Sequence, residues 1–277
     1  MMTIVKQLII PHLPRILTSS LQAAAREQGL VDLRSQLEKI VPDISEQYSE
    51  FKIHDEYMLT KIRNMHAFQI SFILDVLHEL ENPTIVDIGD SAGTHLQYLL
   101  GMKAEGKSLK CLSVNLDPKA VNKIKSKGLE AIHARAEDLN KYDINPDIFC
   151  SFEMLEHLMD PINFLHQLST KTQAKYLIIT VPYRAQSRVS LIPIRTNSEK
   201  PFGAEETHIF ELSPEDWKLI FSFSGWKVER EDIYYQFPKC HWARVTEKFW
   251  RKHDYEGFYG VRLSRDLTWA KRYTDWP

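Results

Sequence analysis

The stretch Thr84-Ile85-Val86-Asp87-Ile88-Gly89-Asp90-Ser91-Ala92-Gly93-Thr94 constrains the chain most. A short apolar run of strand character breaks into a turn of small residues, and the amphipathic stretch Leu96 to Met102 follows as a helix. A strand that opens through glycine onto a helix N-terminus leaves backbone N–H groups uncovered, so a ligand's polar atoms can approach the main chain. Such a turn suits a nucleotide. Gly89-x-x-x-Gly93 lacks the middle glycine of the dinucleotide-binding fingerprint and carries Ser91 there, so the spacing alone also fits an ordinary strand-to-helix connection.

Downstream of residue 84, strand and helix patterns alternate. Strands are predicted at Ile85 to Ile88, Lys110 to Leu116, Ala131 to His133, Ile148 to Phe152 and Tyr176 to Val181, with helices over 94–102, 118–127 and about 160–169. Alternation of this kind predicts an α/β, Rossmann-like, doubly wound and mostly parallel sheet with ligands at the carboxyl ends of its strands. Upstream, Leu17 to Gln28, Leu30 to Ile40 and Asp55 to Leu80 read as helices. The expected organisation is an N-terminal helical cap (1–80), a cofactor-binding domain (81–237) and an aromatic, basic C-terminal extension (238–277).

Of 277 residues 43% are hydrophobic, enough for a packed core, and 35 Lys and Arg stand against 37 Asp and Glu. That balance gives no global field for nucleic acid or an anionic membrane. Three scattered cysteines without a C-x-x-C pair fit a reducing compartment, with the cytoplasm as default. The opening residues to Leu17 are interrupted by Lys6, Pro11, His12, Pro14 and Arg15 and form no targeting core. They are compatible with peripheral contact at a membrane surface or subunit, and more readily with packing on the chain itself. Tyr57, Lys61, Arg63, His66 and Gln69 fall at helical spacings ahead of the glycine turn, as a solvated face or as groups that close over a ligand's carboxylate.

The ordered set Val86-Asp87-Ile88-Gly89-x-Ser91-x-Gly93, Val114-Asn115-Leu116-Asp117-Pro118, Ala136-Glu137-Asp138-Leu139, Phe152-Glu153-Met154-Leu155-Glu156-His157-Leu158-x-Asp160-Pro161 and Ile178-x-x-Val181-Pro182 resembles the class I S-adenosylmethionine-dependent methyltransferases. The resemblance covers about residues 80 to 236. It implies S-adenosylmethionine as cofactor, with Asp87, Gly89, Asp90, Ser91 and Gly93 around its methionine end. Asn115 and Leu116 would meet the ribose, Ala136 and Glu137 would border the adenine, and Phe152 and Glu153 would close the site from the fourth strand. Two positions depart from the family. The ribose position holds Asn115 where an acid is usual, which removes a charge-assisted hydrogen bond and leaves Asp117 as an alternative ligand. Arg135 stands where relatives often have Asp.

Glu153, Glu156 and His157 lie at i, i+3 and i+4, so a helix after the fourth strand would bring two carboxylates and an imidazole onto one face. His208, in Glu206-Thr207-His208-Ile209-Phe210-Glu211, is a fourth candidate. The set resembles the Glu-x-x-Glu-His of small-RNA 2′-O-methyltransferases and of ubiquinone-pathway O-methyltransferases, and implies a divalent metal (Mg, Mn, Fe or Zn) held by Glu153, Glu156, His157 and His208. Such an ion, chelated by two neighbouring acceptor oxygens, lowers a hydroxyl pKa and fixes the line of attack. The metal-free alternative leaves Glu156 to cap backbone and makes His157 or His208 an acid or base.

Residues 183 to 207 read as a long insertion with Arg184, Arg188, Arg195 and Lys200, either a solvated loop or a lid for an anionic substrate group. Beyond it, Pro214 to Phe223 reads as a helix and Trp226 to Ile233 as a strand. From Pro238 onward basic residues mix with aromatics, a composition that packs across the body, builds a homodimer contact, or stacks sugars or bases. The combined expectation is an O-methyltransferase acting on a sugar or other vicinal diol, on a small-molecule or glycan acceptor rather than nucleic acid. The alternatives are a metal-free small-molecule methyltransferase and a non-catalytic cofactor-binding partner protein.

Overall fold

The computed structural model describes residues 13–48, 51–102, 108–204, 206–253 and 255–277. Helices α1 (Leu13–Glu27) and α2 (Val31–Ile40) meet at Gly29, whose φ of +70° turns the chain at little steric cost. Helix α3 (Glu56–Leu77) begins where the Asp55 carboxylate accepts from the N–H of Met58. Its Phe72, Ile73 and Val76 share one buried cluster with Ile85, Ile148, Cys150 and Ile178 of the strands, so the cap lies directly on the sheet. The expected solvated face is therefore absent: Arg63, His66 and Gln69 are buried, and Arg63 donates to the carbonyls of Val41 and Pro42.

The sheet is built from β1 (Thr84–Ile88), β2 (Lys110–Asn115), β3 (Glu130–His133), β4 (Ile148–Phe152), β5 (Tyr176–Pro182), β8 (Trp226–Tyr235) and β9 (Gly257–Arg265), in the order β3-β2-β1-β4-β5-β9-β8. Strands β1 to β5 are parallel, whereas β9 is antiparallel to both neighbours. Connecting helices are α4 (Thr94–Met102), α5 (Pro118–Ser126), α6 (Pro161–Lys171) and α8 (Pro214–Phe223). Phe164 and Leu165 of α6 and Trp217 and Phe221 of α8 cover Val86, Phe149, Leu177 and Ile179 on the second face. A sheet covered on both faces needs strands apolar on both sides, which is why they read as continuous apolar runs. The order reverses between β1 and β4, and the carboxyl ends of those strands are the place where a ligand is met in such a sheet.

Residues 183 to 207 are not one loop. They hold β6 (Arg188–Val189) and the short helix α7 (Ile192–Arg195), and β6 pairs antiparallel with β7 (Phe210–Glu211). The segment expected as a C-terminal extension supplies β9, inserted between β5 and β8 with register from Tyr176↔Ser264 to Pro182↔Phe258. Two glycines permit this insertion. A Cβ at Gly257 would lie 1.9 Å from the Tyr234 carbonyl oxygen, and one at Gly260 would lie 2.7 Å from Phe72. Between β8 and β9, α9 (Glu247–Lys252) carries Trp250, which is buried against Leu17, Leu21 and Phe237. Trp276 stacks on His166 with centroids 3.6 Å apart. No helix among the described residues is long and apolar enough to cross a membrane; of the opening residues to Leu17, where peripheral contact was expected, 1–12 lie outside the described residues.

Candidate active site

The turn after β1 passes through Gly89 (φ +93°) and Gly93 (φ +70°) into α4. A side chain at Gly93 would meet Leu129 at 2.6 Å, so glycine here serves close packing as well as the left-handed backbone. The Asp90 carboxylate folds back to accept from Ala92 and Gly93 N–H groups at 3.3 and 2.9 Å. Ser91 donates to the Gln47 carbonyl and Thr94 to Gln47 Oε1, which lays the 42–48 segment on the turn. Asn115 turns inward: its Nδ2 donates to the Asp90 carbonyl (3.1 Å), and its Oδ1 accepts from Asp117 N–H (2.7 Å). The Asp117 carboxylate caps α5 through Lys119 and Ala120. At the neighbouring strand ends Leu116 is exposed, while Ala136 and Glu137 open a 3₁₀ turn in which Glu137 pairs with Arg135 at 3.2 Å.

Asp87 Oδ2 lies 3.0 Å from His95 Nδ1, and His95 Nε2 lies 3.0 Å from Gln69 Oε1. Both ring nitrogens face acceptors, an arrangement that favours the doubly protonated ring. Burial works against that charge, yet the hydrogen bond and field of Asp87 raise the pKa of His95 above its ordinary value. Phe152 meets the same ring edge to face at 4.9 Å. Burial, and then the charge of Asp87, push Asp90 up to about 6. Asp87 Oδ1 and Asp90 Oδ2 are buried with no protein donor. Two carboxylate oxygens left without donors beside a glycine turn fit the ammonium end of a methionine-derived cofactor. Asp87, Asp90 and His95 also cluster closely enough for a metal, but an imidazole that donates through both nitrogens has no lone pair to give one.

After β4 the expected helix does not form. Glu153 takes a left-handed φ of +52°, and residues Leu155–His157 make a single 3₁₀ turn. Glu153 therefore leaves the group, while Glu156, His157 and His208 place ligand atoms within 4.8 Å of one another. His157 Nε2 and His208 Nε2 each lie 3.9 Å from Glu156 Oε1. The other ring nitrogens fix the tautomers. His157 Nδ1 donates to the carbonyls of Ala204 and Thr207 (2.8 and 3.1 Å), and His208 Nδ1 donates to Glu211 Oε1 (2.9 Å). Each Nε2 is left with a lone pair.

Glu156 is 1% exposed, and neither of its oxygens has a hydrogen-bond partner. Burial and the neighbouring charge of Glu153 push its pKa far up, and burial followed by the field of His208 lowers that of His157. Two imidazole nitrogens aimed at one buried, unpartnered carboxyl fit a cation, whose charge would displace the proton that burial favours on Glu156. Two imidazoles and one carboxylate are a donor set for zinc, manganese or iron(II). Glu211 supports it from behind. Burial opposes its charge, but hydrogen bonds from His208, Arg184 and Arg188 hold its pKa at about 2. The Ile209 N–H bond to the Glu156 carbonyl (2.7 Å) fastens the two segments together.

Sequence reasoning named Glu156, His157 and His208, and the fold brings them together. It missed Glu211, whose i+3 spacing from His208 was the available signal, and His95, two residues beyond Gly93. Arg184 and Arg188, expected as solvated or substrate-facing, bind Glu211 at 2.8 and 2.7 Å.

No protein-family model matches the chain, and no curated protein sequence matches it. Solved structures share its fold. A methyltransferase structure from Haloferax volcanii, in complex with the Trm112 methyltransferase activator, aligns at a TM-score of 0.54 and 16% identity, covering 74% of this chain and 91% of that one. The O-methyltransferase of a Brevibacillus brevis polyketide synthase, bound to S-adenosyl-L-homocysteine, aligns at 0.53 and 12% identity, covering 86% and 82%. The [4+2]-cyclase SpnF aligns at 0.52 and 11% identity, covering 88% and 97%. The likeness is one of fold, and a cyclase among the neighbours shows why chemistry has to be argued from the site.

Proposed function

We propose that this chain is an S-adenosylmethionine-dependent O-methyltransferase acting on a hydroxyl of a sugar or other vicinal diol, with a divalent cation held by Glu156, His157 and His208. The observation that carries the reading is the meeting of two imidazole lone pairs and an unpartnered, buried carboxylate beside the fold's ligand-binding edge. Asp87 and Asp90 take the cofactor's ammonium, the Gly89 to Gly93 turn lets its methionine end approach the backbone, and Leu116 and Ala136 border its adenine. Glu156 supplies the balancing charge. His157 and His208 turn their Nε2 atoms inward because Ala204, Thr207 and Glu211 occupy the opposite nitrogens. When bound, the cation lowers the pKa of a chelated hydroxyl and fixes its direction of attack on the methyl group.

Methyl transfer joins the acceptor oxygen to the methyl carbon, breaks the carbon–sulfur bond, and returns the electron pair to sulfur as S-adenosylhomocysteine, while the hydroxyl proton leaves to solvent or, without a metal, to His157 Nε2. A metal-free reading is favoured by one observation: burial keeps His157 neutral, with a free Nε2 able to accept the hydroxyl proton. Calorimetry with S-adenosylhomocysteine, with and without manganese, tests the cofactor half. Release of S-adenosylhomocysteine from S-adenosylmethionine across a panel of glycosides and catechols, before and after chelation, tests the rest. Absence of cofactor binding removes the enzyme reading and leaves a protein of another kind; turnover that survives chelation favours His157 as base.

A further inference from the structure

His95 lies in the first turn of α4, and elements distant in the chain hold its imidazole at both nitrogens. Asp87 Oδ2, on β1, stands 3.0 Å from Nδ1, and Gln69 Oε1, on α3, stands 3.0 Å from Nε2. Gln69 is fixed in turn, because its Nε2 donates to Thr180 Oγ1 of β5 at 3.0 Å. Phe152 of β4 and His66 of α3 meet the ring edge to face, with centroids 4.9 and 4.8 Å away. All six side chains are buried. A ring clamped in this way cannot turn about its own axis without breaking both hydrogen bonds. The consequence falls on Asp87. Among the described residues His95 is the one hydrogen-bond partner of its carboxylate, and Oδ1 is left buried without a donor. Asp90 differs, because its carboxylate is oriented by the N–H groups of its own turn.

We propose that His95 is a positioning residue of the cofactor site: by holding Asp87 Oδ2 it aims Oδ1 at the ammonium of the methionine end, and Gln69 brings the same constraint from the helical cap. The inference rests on the cofactor half of the reading above and needs no metal. A carboxylate already fixed in its bound orientation loses no rotational freedom when the ammonium arrives, and a charged pair out of water depends steeply on its geometry. The cap thereby enters the cofactor site without touching the cofactor. A role confined to packing, or to offsetting the buried carboxylate, would fall equally on every ligand of the turn. Positioning falls on the ammonium alone.

Two ligands that differ at that end separate these roles in full-length protein, by calorimetry. S-adenosylhomocysteine carries the amino-acid end, and 5′-methylthioadenosine is the same thionucleoside without it. In His95→Asn the amide nitrogen takes the place of Nδ1 and still reaches Asp87; in His95→Gln it takes the place of Nε2 and does not. His95→Gln is expected to bind S-adenosylhomocysteine about tenfold more weakly than the wild type, the effect of one misplaced charge-assisted hydrogen bond, and His95→Asn to stay within about threefold. Both variants keep wild-type affinity for 5′-methylthioadenosine. Equal loss of the two ligands in His95→Gln, or loss of folding in both variants, assigns His95 to structure and overturns the proposal. So does unchanged S-adenosylhomocysteine affinity in His95→Gln, a loss in His95→Asn as large as in His95→Gln, or a wild type that binds the two ligands equally well. Failure of the wild type to bind either ligand is a separate result and removes the function proposed above.

Discussion

His157 and His208 meet edge to face, with ring centroids 4.7 Å apart at 88°, and both hold Nε2 at 3.9 Å from the same oxygen of Glu156. Two imidazole nitrogens and one buried carboxyl around a common point favour a cation between them, bound in exchange for the proton that burial favours on Glu156. Manganese or zinc is therefore expected to raise the midpoint of thermal unfolding, by mass action on the folded state, and a chelator to reverse it. Glu156→Gln should abolish the shift and empty the protein of metal by elemental analysis. A melting curve indifferent to metal would contradict the assignment.

Glu211 is not among the proposed metal ligands, yet it fixes the tautomer of His208. Glu211→Gln is expected to weaken metal binding by about 10- to 100-fold, the usual cost of a lost carboxylate behind a ligating imidazole. Metal titration by calorimetry measures it directly.

The same carboxyl gives a pH dependence with a definite sign. Its pKa is held at about 2 in the folded protein against an ordinary 4.5, so the unfolded chain takes up the proton first. The stabilisation is fully present above about pH 4.5 and drains away as pH falls toward 2, about 3 kcal/mol in all. Urea midpoints across that range should fall less steeply in Glu211→Gln than in the wild type.

Asn115→Asp introduces the acid that the resembled methyltransferases usually carry at this position, and it is expected to destabilise the protein. The amide nitrogen donates to the Asp90 carbonyl, which a carboxylate cannot do, and a new charge would stand near Asp90. The cost is about 1–3 kcal/mol at neutral pH by urea unfolding. Unchanged stability together with tighter S-adenosylhomocysteine binding would return this residue to the ribose.

Residues beyond 237 are expected to be needed for folding. Truncation there removes β9 and leaves β5 without its antiparallel neighbour, and the product is expected to be unfolded or aggregated by circular dichroism and size exclusion. A milder probe is Gly260→Ala, whose added carbon would crowd Phe68 and Phe72 at a cost of about 1–3 kcal/mol.

Much of the fold could be read in advance because strands β1 to β5 and their helices carry local signals: apolar runs, the glycines at 89 and 93, and Asp or Ser caps before Pro118, Pro161 and Pro214. Glu156, His157 and His208 were readable as candidates by residue type and placement after strands. The route by which they converge was not. The helix assumed for 153–157 is replaced by a left-handed residue and one 3₁₀ turn, which expels Glu153 from the group that its spacing implied.

The sequence by itself determined the alternating α/β architecture, the glycine turn and the short list of candidate ligands, because these depend on neighbours a few residues away. Tertiary structure alone decided that Arg63, His66 and Gln69 are buried rather than solvated, that Asn115 spends its amide on Asp90, that Glu211 stands behind His208, and that Gly257–Arg265 enters the sheet beside β5. The physical reason is that a side chain's local pattern reports which face of its element is apolar. The atom that satisfies its donor or acceptor comes from wherever in the chain the packed fold brings one.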